Sequence, residues 1–172
     1  ACSRVFEGDS FGDHAVSCAG SVGIKHRHNL VRDTLLDICF RAGISAGKEV
    51  DIGLVDGHDR PLRPGDILLY SWDRGLDVFV DLTGSSPLTQ SAMADFVPGR
   101  VVEEAARRKC VKYKNSCTAK GYGFLPFSFS SLGELEAGAV TLLKRFREFS
   151  LTQDVGARAS IHIFTRIGFA IA

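Results

Sequence analysis

Two runs of apolar and β-branched residues, separated by turn residues, dominate the hydrophobic pattern of this chain. The first is Ile67-Leu68-Leu69-Tyr70, led in by Arg63-Pro64-Gly65-Asp66; the second is Leu76-Asp77-Val78-Phe79-Val80-Asp81-Leu82-Thr83, with Trp72-Asp73-Arg74-Gly75 between them. This pattern predicts a β-hairpin. Upstream, Leu30, Leu35, Ile38 and Cys39 recur at helical spacing, which predicts a helix from about Lys25 to Ala42, stopped by Gly43. The alternation Glu49-Val50-Asp51-Ile52-Gly53-Leu54 predicts a strand, followed by a polar loop around Asp56-Gly57-His58-Asp59.

Beyond the hairpin, residues 84–98 read as a long loop rich in Ser, Thr and Pro, of a length that is often functional in a compact domain. A helix follows from about Val101 to Cys117, with Glu103 and Glu104 near its start and Arg107, Arg108, Lys109, Lys112 and Lys114 further along, a polarity that suits the helix dipole. Gly123 to Phe129 reads as a fourth strand, with Pro126 either arguing against it or directing it to a sheet edge. Leu132 to Phe149 is amphipathic and predicts a helix capped by Ser130 or Ser131. In residues 157–172, Ile161, Phe164, Ile167 and Phe169 suit a helix or a strand equally.

At 172 residues, 45% of them hydrophobic, the chain suits one domain with its own core. A formal net charge of +1 leaves a nucleic-acid partner open, because binding depends on where charges cluster. No apolar run reaches the 18 or so residues of a membrane span, and the first residues form no signal peptide. Five cysteines, Cys2, Cys18, Cys39, Cys110 and Cys117, make an odd and scattered set, which points to a reducing intracellular compartment. The one methionine is Met93, so the chain is expected to be a piece of a longer protein.

The hairpin also carries the candidate chemistry. A turn centred between Asp73 and Arg74 would place Asp66 opposite Asp81, since the two numbers are symmetric about that point. Directly opposed residues have Cβ atoms roughly 4.5–5.5 Å apart, close enough for two carboxylates to repel. A divalent metal ion turns that repulsion into a binding site, and paired carboxylates holding Mg²⁺ serve phosphodiester chemistry. The alternative is a hairpin whose acids mark strand ends at the surface.

Several short motifs occur in a telling order: Phe11-Gly12-Asp13-His14-Ala15-Val16-Ser17-Cys18, Arg27-His28-Asn29, Arg63-Pro64-Gly65-Asp66, Val80-Asp81-Leu82-Thr83 and Lys109-Cys110-Val111-Lys112-Tyr113. The ordered set resembles the C-terminal region of the reverse-transcriptase proteins of non-LTR retrotransposons that carry a restriction-endonuclease-like domain, plant genomic copies in particular. The likeness runs over nearly the whole chain. It implies a zinc-knuckle-like segment over residues 1–24 and, over residues 25–172, an α/β domain with a PD-(D/E)XK core, a mixed central β-sheet flanked by helices.

Carried over residue by residue, the resemblance implies that Asp66 and Asp81 are the metal-binding acids for Mg²⁺ or Mn²⁺, with Glu49 on the preceding strand as a third ligand to metal or water. It places the catalytic lysine at Lys109 or Lys112 on the following helix, in a Lys-x-x-Lys-Tyr element, since Thr83 stands where a Glu-x-Lys variant keeps lysine. Between the two, Lys109 is preferred as the first in that element. Arg107, Arg108 and Lys114 are implied to serve nucleic-acid binding, and Arg27 and His28 nucleic-acid binding or a place near the active site, with Arg27-His28-Asn29 as an exposed helix start the alternative for that pair. His14 and Cys18 resemble half of a zinc knuckle; with Cys2 they make three ligands of the four that a structural Zn²⁺ site needs. Gly65 replaces the small side chain usual before the acid, which is expected to loosen the start of the strand.

The implied activity is a metal-dependent DNA endonuclease, part of a longer reverse-transcriptase polyprotein, that nicks target DNA in the nucleus, with element RNA as a further partner and no membrane association. The competing expectation is an inactive remnant that retains the basic helix as a nucleic-acid-binding or interaction module. Fold can outlast function, because core and site are separate features of a sequence.

Overall fold

A computed structural model of the chain describes residues 21–55, 61–62, 65–86, 97–152 and 162–172. The elements run α1 (Ser21–Ala42), β1 (Ala46–Lys48), β2 (Leu54–Val55), β3 (Pro61–Leu62), β4 (Ile67–Asp73), β5 (Leu76–Ser85), α2 (Arg100–Ala119), β6 (Gly123–Ser130), α3 (Ala137–Thr152) and α4 (Ile163–Ile171). Four strands form a mixed sheet in the order β1-β4-β5-β6, antiparallel at the first two pairings and parallel at β5–β6, where α2 makes the crossover. β2 and β3 form a separate antiparallel pair. The chain is therefore a mixed α/β protein, a four-stranded sheet flanked by helices.

Strand alternation assigns the two faces. Ile67, Leu69, Val80, Leu82, Phe127 and Phe129 join Val31, Leu35 and Ile38 of α1, Leu142, Leu143 and Phe146 of α3, and Ile163 and Ile167 of α4 in the main core. Leu68 and Phe79 point the other way, meeting Cys117 of α2, with Val50, Ile52, Tyr122 and Phe124 around them. No described helix is long and apolar enough to cross a membrane.

The hairpin forms, but its turn lies one residue later than expected. Asp73 pairs with Leu76, so Arg74 and Gly75, both at positive φ, make the turn, a geometry that favours glycine at the second position. That turn alone would shift the register by two. A bulge corrects it: Tyr70, Ser71 and Trp72 face Asp77 alone, and Ser71 adopts φ 51 with its N–H donating to Asp77 Oδ1 at 2.8 Å. From there Leu69 pairs with Val78 and Ile67 with Val80, the register that brings Asp66 to Asp81.

Other expectations are corrected. The strand expected over 49–54 is displaced: pairing ends at Lys48, Glu49 turns to φ 48, and the Asp51 carboxylate accepts the Gly53 N–H at 2.8 Å in a local turn. Val50 and Ile52 still pack partly buried against the second face of the sheet, which is why their pattern mimicked a strand. In α1, Leu30 is exposed and Val31 takes its place in the stripe. α3 starts five residues later than expected, at Ala137 instead of Leu132. Ser130 Oγ instead accepts the N–H groups of Leu132 and Glu134 in a turn, while the Glu136 carboxylate caps the helix by accepting those of Gly138 and Ala139. The ambiguous tail is helical over Ile163–Ile171, with Ile163, Ile167, Ala170 and Ile171 buried and Phe164 and Phe169 exposed.

Candidate functional site

Gly65 lets the chain enter β4 close against β5. A Cβ there would lie 2.8 Å from the Val80 carbonyl oxygen, so the expected loosening by glycine is the reverse of what packing requires. This close approach allows the Asp66 N–H to donate to Val80 O at 2.9 Å, and the Asp66 carbonyl accepts the Glu49 N–H at 2.9 Å. The Asp66 side chain is held just as firmly. Its Oδ2 accepts the Leu82 N–H at 2.7 Å and lies 3.3 Å from His28 Nε2 on α1. That pairing raises the His28 pKa above the usual histidine value, against the opposing effect of partial burial.

Asp81 sits within β5 opposite Pro126 of β6, on the face shared with Phe79, and is only 6% exposed. The Lys109 ammonium lies 2.9 Å from its Oδ2. Burial pushes the Asp81 carboxyl up to about 6; Lys109 acts against this, and the neighbouring negative charge of Asp66 adds to it. The repulsion anticipated between the two acids is therefore present, with Lys109 set against Asp81 and His28 against Asp66.

Helix geometry explains why Lys109, and not Lys112, meets Asp81. At about 100° per residue, Lys109 lies in the middle of the stripe formed by Val102, Ala105, Ala106, Tyr113 and Cys117, the buried face of α2. Lys112 is exposed and its ammonium lies 4.8 Å from the Tyr113 ring centroid. Arg107 and Lys114 project roughly 140–160° around the helix from Lys109, on the solvent side. Arg107 and Arg108 border a shallow surface depression with Glu104 and Val111. The helix thus separates the half-buried Lys109 from an exposed basic ridge.

Glu49 reaches this region through its backbone. Its carboxylate hydrogen-bonds to Arg32, a buried guanidinium of α1 that also contacts Asp33 at 2.9 Å, while Lys48 pairs with Asp33 at 2.9 Å. Arg27, half-exposed, precedes His28 on the same helix. Cys2, His14 and Cys18, the expected zinc ligands, lie outside the described residues. Among the described residues no group of three or more His, Cys, Asp and Glu side chains is arranged to hold a metal ion. Asp66 and Asp81 supply two hard carboxylate donors, a set that suits Mg²⁺, which binds through one or two carboxylates and takes its other ligands from water and phosphate.

The inward role of Arg32 was missed from sequence, whereas a place beside the site was one of the alternatives open for His28. Their signal was there: His28, Arg32, Leu35, Cys39 and Ala42 continue one helical stripe, and polar residues on a buried stripe need partners. Lys109 carried the same signal among Ala105, Ala106, Tyr113 and Cys117. A scan against protein-family models and a search of curated proteins match this chain to nothing.

Proposed function

We propose that this chain is a divalent-metal-dependent DNA endonuclease domain with a PD-(D/E)XK-type core, of the kind carried by non-LTR retrotransposon reverse-transcriptase proteins, which nicks target DNA by phosphodiester hydrolysis. One observation carries the reading: Asp66, Asp81 and Lys109, distant in sequence, converge at the start of the central hairpin, with Lys109 2.9 Å from Asp81. The order helix, three meandering strands, helix, parallel strand supports it, being the core order that the resemblance implies.

In this reading Asp66 and Asp81 hold Mg²⁺ or Mn²⁺, which when bound supplies Lewis acidity to a phosphate oxygen and a more acidic water. The chain's own residues do the rest. The Leu82 N–H and His28 fix the orientation of the Asp66 carboxylate. Lys109 brings positive charge to the place where a phosphorane-like transition state accumulates negative charge. Arg107, Arg108 and Lys114 supply salt-dependent contacts to the DNA backbone away from the reacting phosphate.

Supercoiled plasmid tests the proposal. The folded chain is expected to nick it with Mg²⁺ or Mn²⁺, and Asp66→Ala or Asp81→Ala abolishes nicking while DNA binding persists. A folded chain that binds DNA and never nicks it would replace this reading with that of an inert nucleic-acid-binding remnant.

A further inference from the structure

We propose that Tyr113 is the positioning residue of this site: its ring aims Lys109 at Asp81 and holds Lys112 away from it. The inference rests on the nuclease reading for its catalytic meaning. Its geometry stands by itself.

Tyr113 is 7% exposed and packs on Phe124 of β6, ring centroids 5.8 Å apart, so its ring is fixed between α2 and the sheet. Two ammonium groups gather around it, Lys109 Nζ at 5.6 Å and Lys112 Nζ at 4.8 Å from the centroid. An aromatic face attracts a cation, and more strongly where water is partly excluded. Lysine is a point charge on a flexible four-carbon stem, so a lysine that must act at one place needs something to limit its directions. Lys109, one helical turn before Tyr113, runs beside the ring and ends at Asp81; Lys112, its immediate neighbour, ends on the ring itself.

A packing role alone would ask only that a large apolar side chain fill the space. A positioning role asks for an aromatic ring. The two differ in Tyr113→Phe and Tyr113→Leu, each compared with the unmutated chain after thermal melts show that it folds. The methylene protons next to the Lys109 ammonium should show upfield ring-current shifts by NMR in the unmutated chain and in Tyr113→Phe, and lose them in Tyr113→Leu. With plasmid and Mn²⁺, Tyr113→Leu should lower kcat by ~100-fold at little cost in KM, the scale expected when a reacting group is misplaced by an ångström, and Tyr113→Phe should restore turnover.

Full turnover in a folded Tyr113→Leu chain overturns the proposal, as does the absence of any ring-current shift at Lys109 in the unmutated chain. That second measurement also decides the matter if Tyr113→Leu does not fold. If the unmutated chain shows no nicking, the nuclease reading fails separately. The positioning claim is then judged by the stability coupling between Lys109 and Asp81 in a double-mutant cycle, which should shrink in the Tyr113→Leu background; an unchanged coupling refutes it.

Discussion

Lys109 places its ammonium 2.9 Å from Asp81 Oδ2 from the middle of the helix face that otherwise packs on the sheet. A half-buried lysine and a buried aspartate each carry a desolvation cost, and their pairing offsets part of it. The arrangement keeps charge where an apolar pair would pack better.

Asp81→Asn is therefore expected to exchange function for stability. The Asp81 pKa is raised to about 6 by burial, so the folded chain binds that proton more tightly than the unfolded chain, whose value is near 3.8. Stability from this group is complete at low pH and falls as pH rises from about 4 through about 6. Above pH 6 the Asn variant should be more stable by about 1 kcal/mol while losing metal-dependent nicking. Urea titrations of both chains at pH 4.5 and 7.5 check this. A gap that does not widen at the higher pH counts against the burial argument.

His28→Ala should remove a pH-dependent contribution with the same sign. Because Asp66 raises the His28 pKa, the pair's contribution is fully present below about 6.5 and is lost as pH rises through the raised folded value. The difference in urea midpoint between the two chains should thus be larger at pH 6 than at pH 8.5. Equal differences at both values would show that His28 is not paired with Asp66 in solution.

Arg32→Ala should cost about 2 kcal/mol, because it removes a buried side chain and leaves the carboxylates of Glu49 and Asp33 without it. Arg41, exposed and paired with Asp37 at 2.7 Å, provides the contrast: Arg41→Ala should change stability by only about 0.5 kcal/mol. Chemical denaturation of the two variants side by side gives the comparison. Similar losses in both would contradict the difference in burial between Arg32 and Arg41 as the cause.

Gly65→Ala should destabilise by about 2 kcal/mol through overpacking, since its Cβ would lie 2.8 Å from the Val80 carbonyl oxygen, a backbone atom that cannot turn aside. The same displacement would draw Asp66 from the Leu82 N–H and slow nicking at saturating metal. Thermal melts and single-turnover assays read the two effects separately. A variant with unchanged melting and unchanged rate would show that the strand entry has room to spare.

The amino-acid sequence alone determined which segments are helices and strands, wherever a long periodic pattern met a clear stop: α1 ending before Gly43, α2 over the basic segment, β4 and β5 as a hairpin, and β6 at an edge where Pro126 is tolerated. These follow from local rules of side-chain period and backbone freedom. It also placed Asp66 beside Asp81, through two compensating offsets that no local rule predicts: a turn one residue later, at Arg74-Gly75, and a bulge at Tyr70 to Trp72. Only the tertiary structure decided the rest. Val50 and Ile52 are partly buried without strand pairing because they cover the sheet's second face, and such packing sets apolar spacing as strongly as a strand does. His28 and Arg32 turned inward because α1 lies across the start of β4, where Asp66 and Glu49 offered partners; an unpaired charge there would not survive burial. Between Lys109 and Lys112, three residues apart, the apolar stripe around Lys109 marked the inward face of the helix, but where that face lies over the sheet, and so which acid the lysine meets, only the tertiary structure decided.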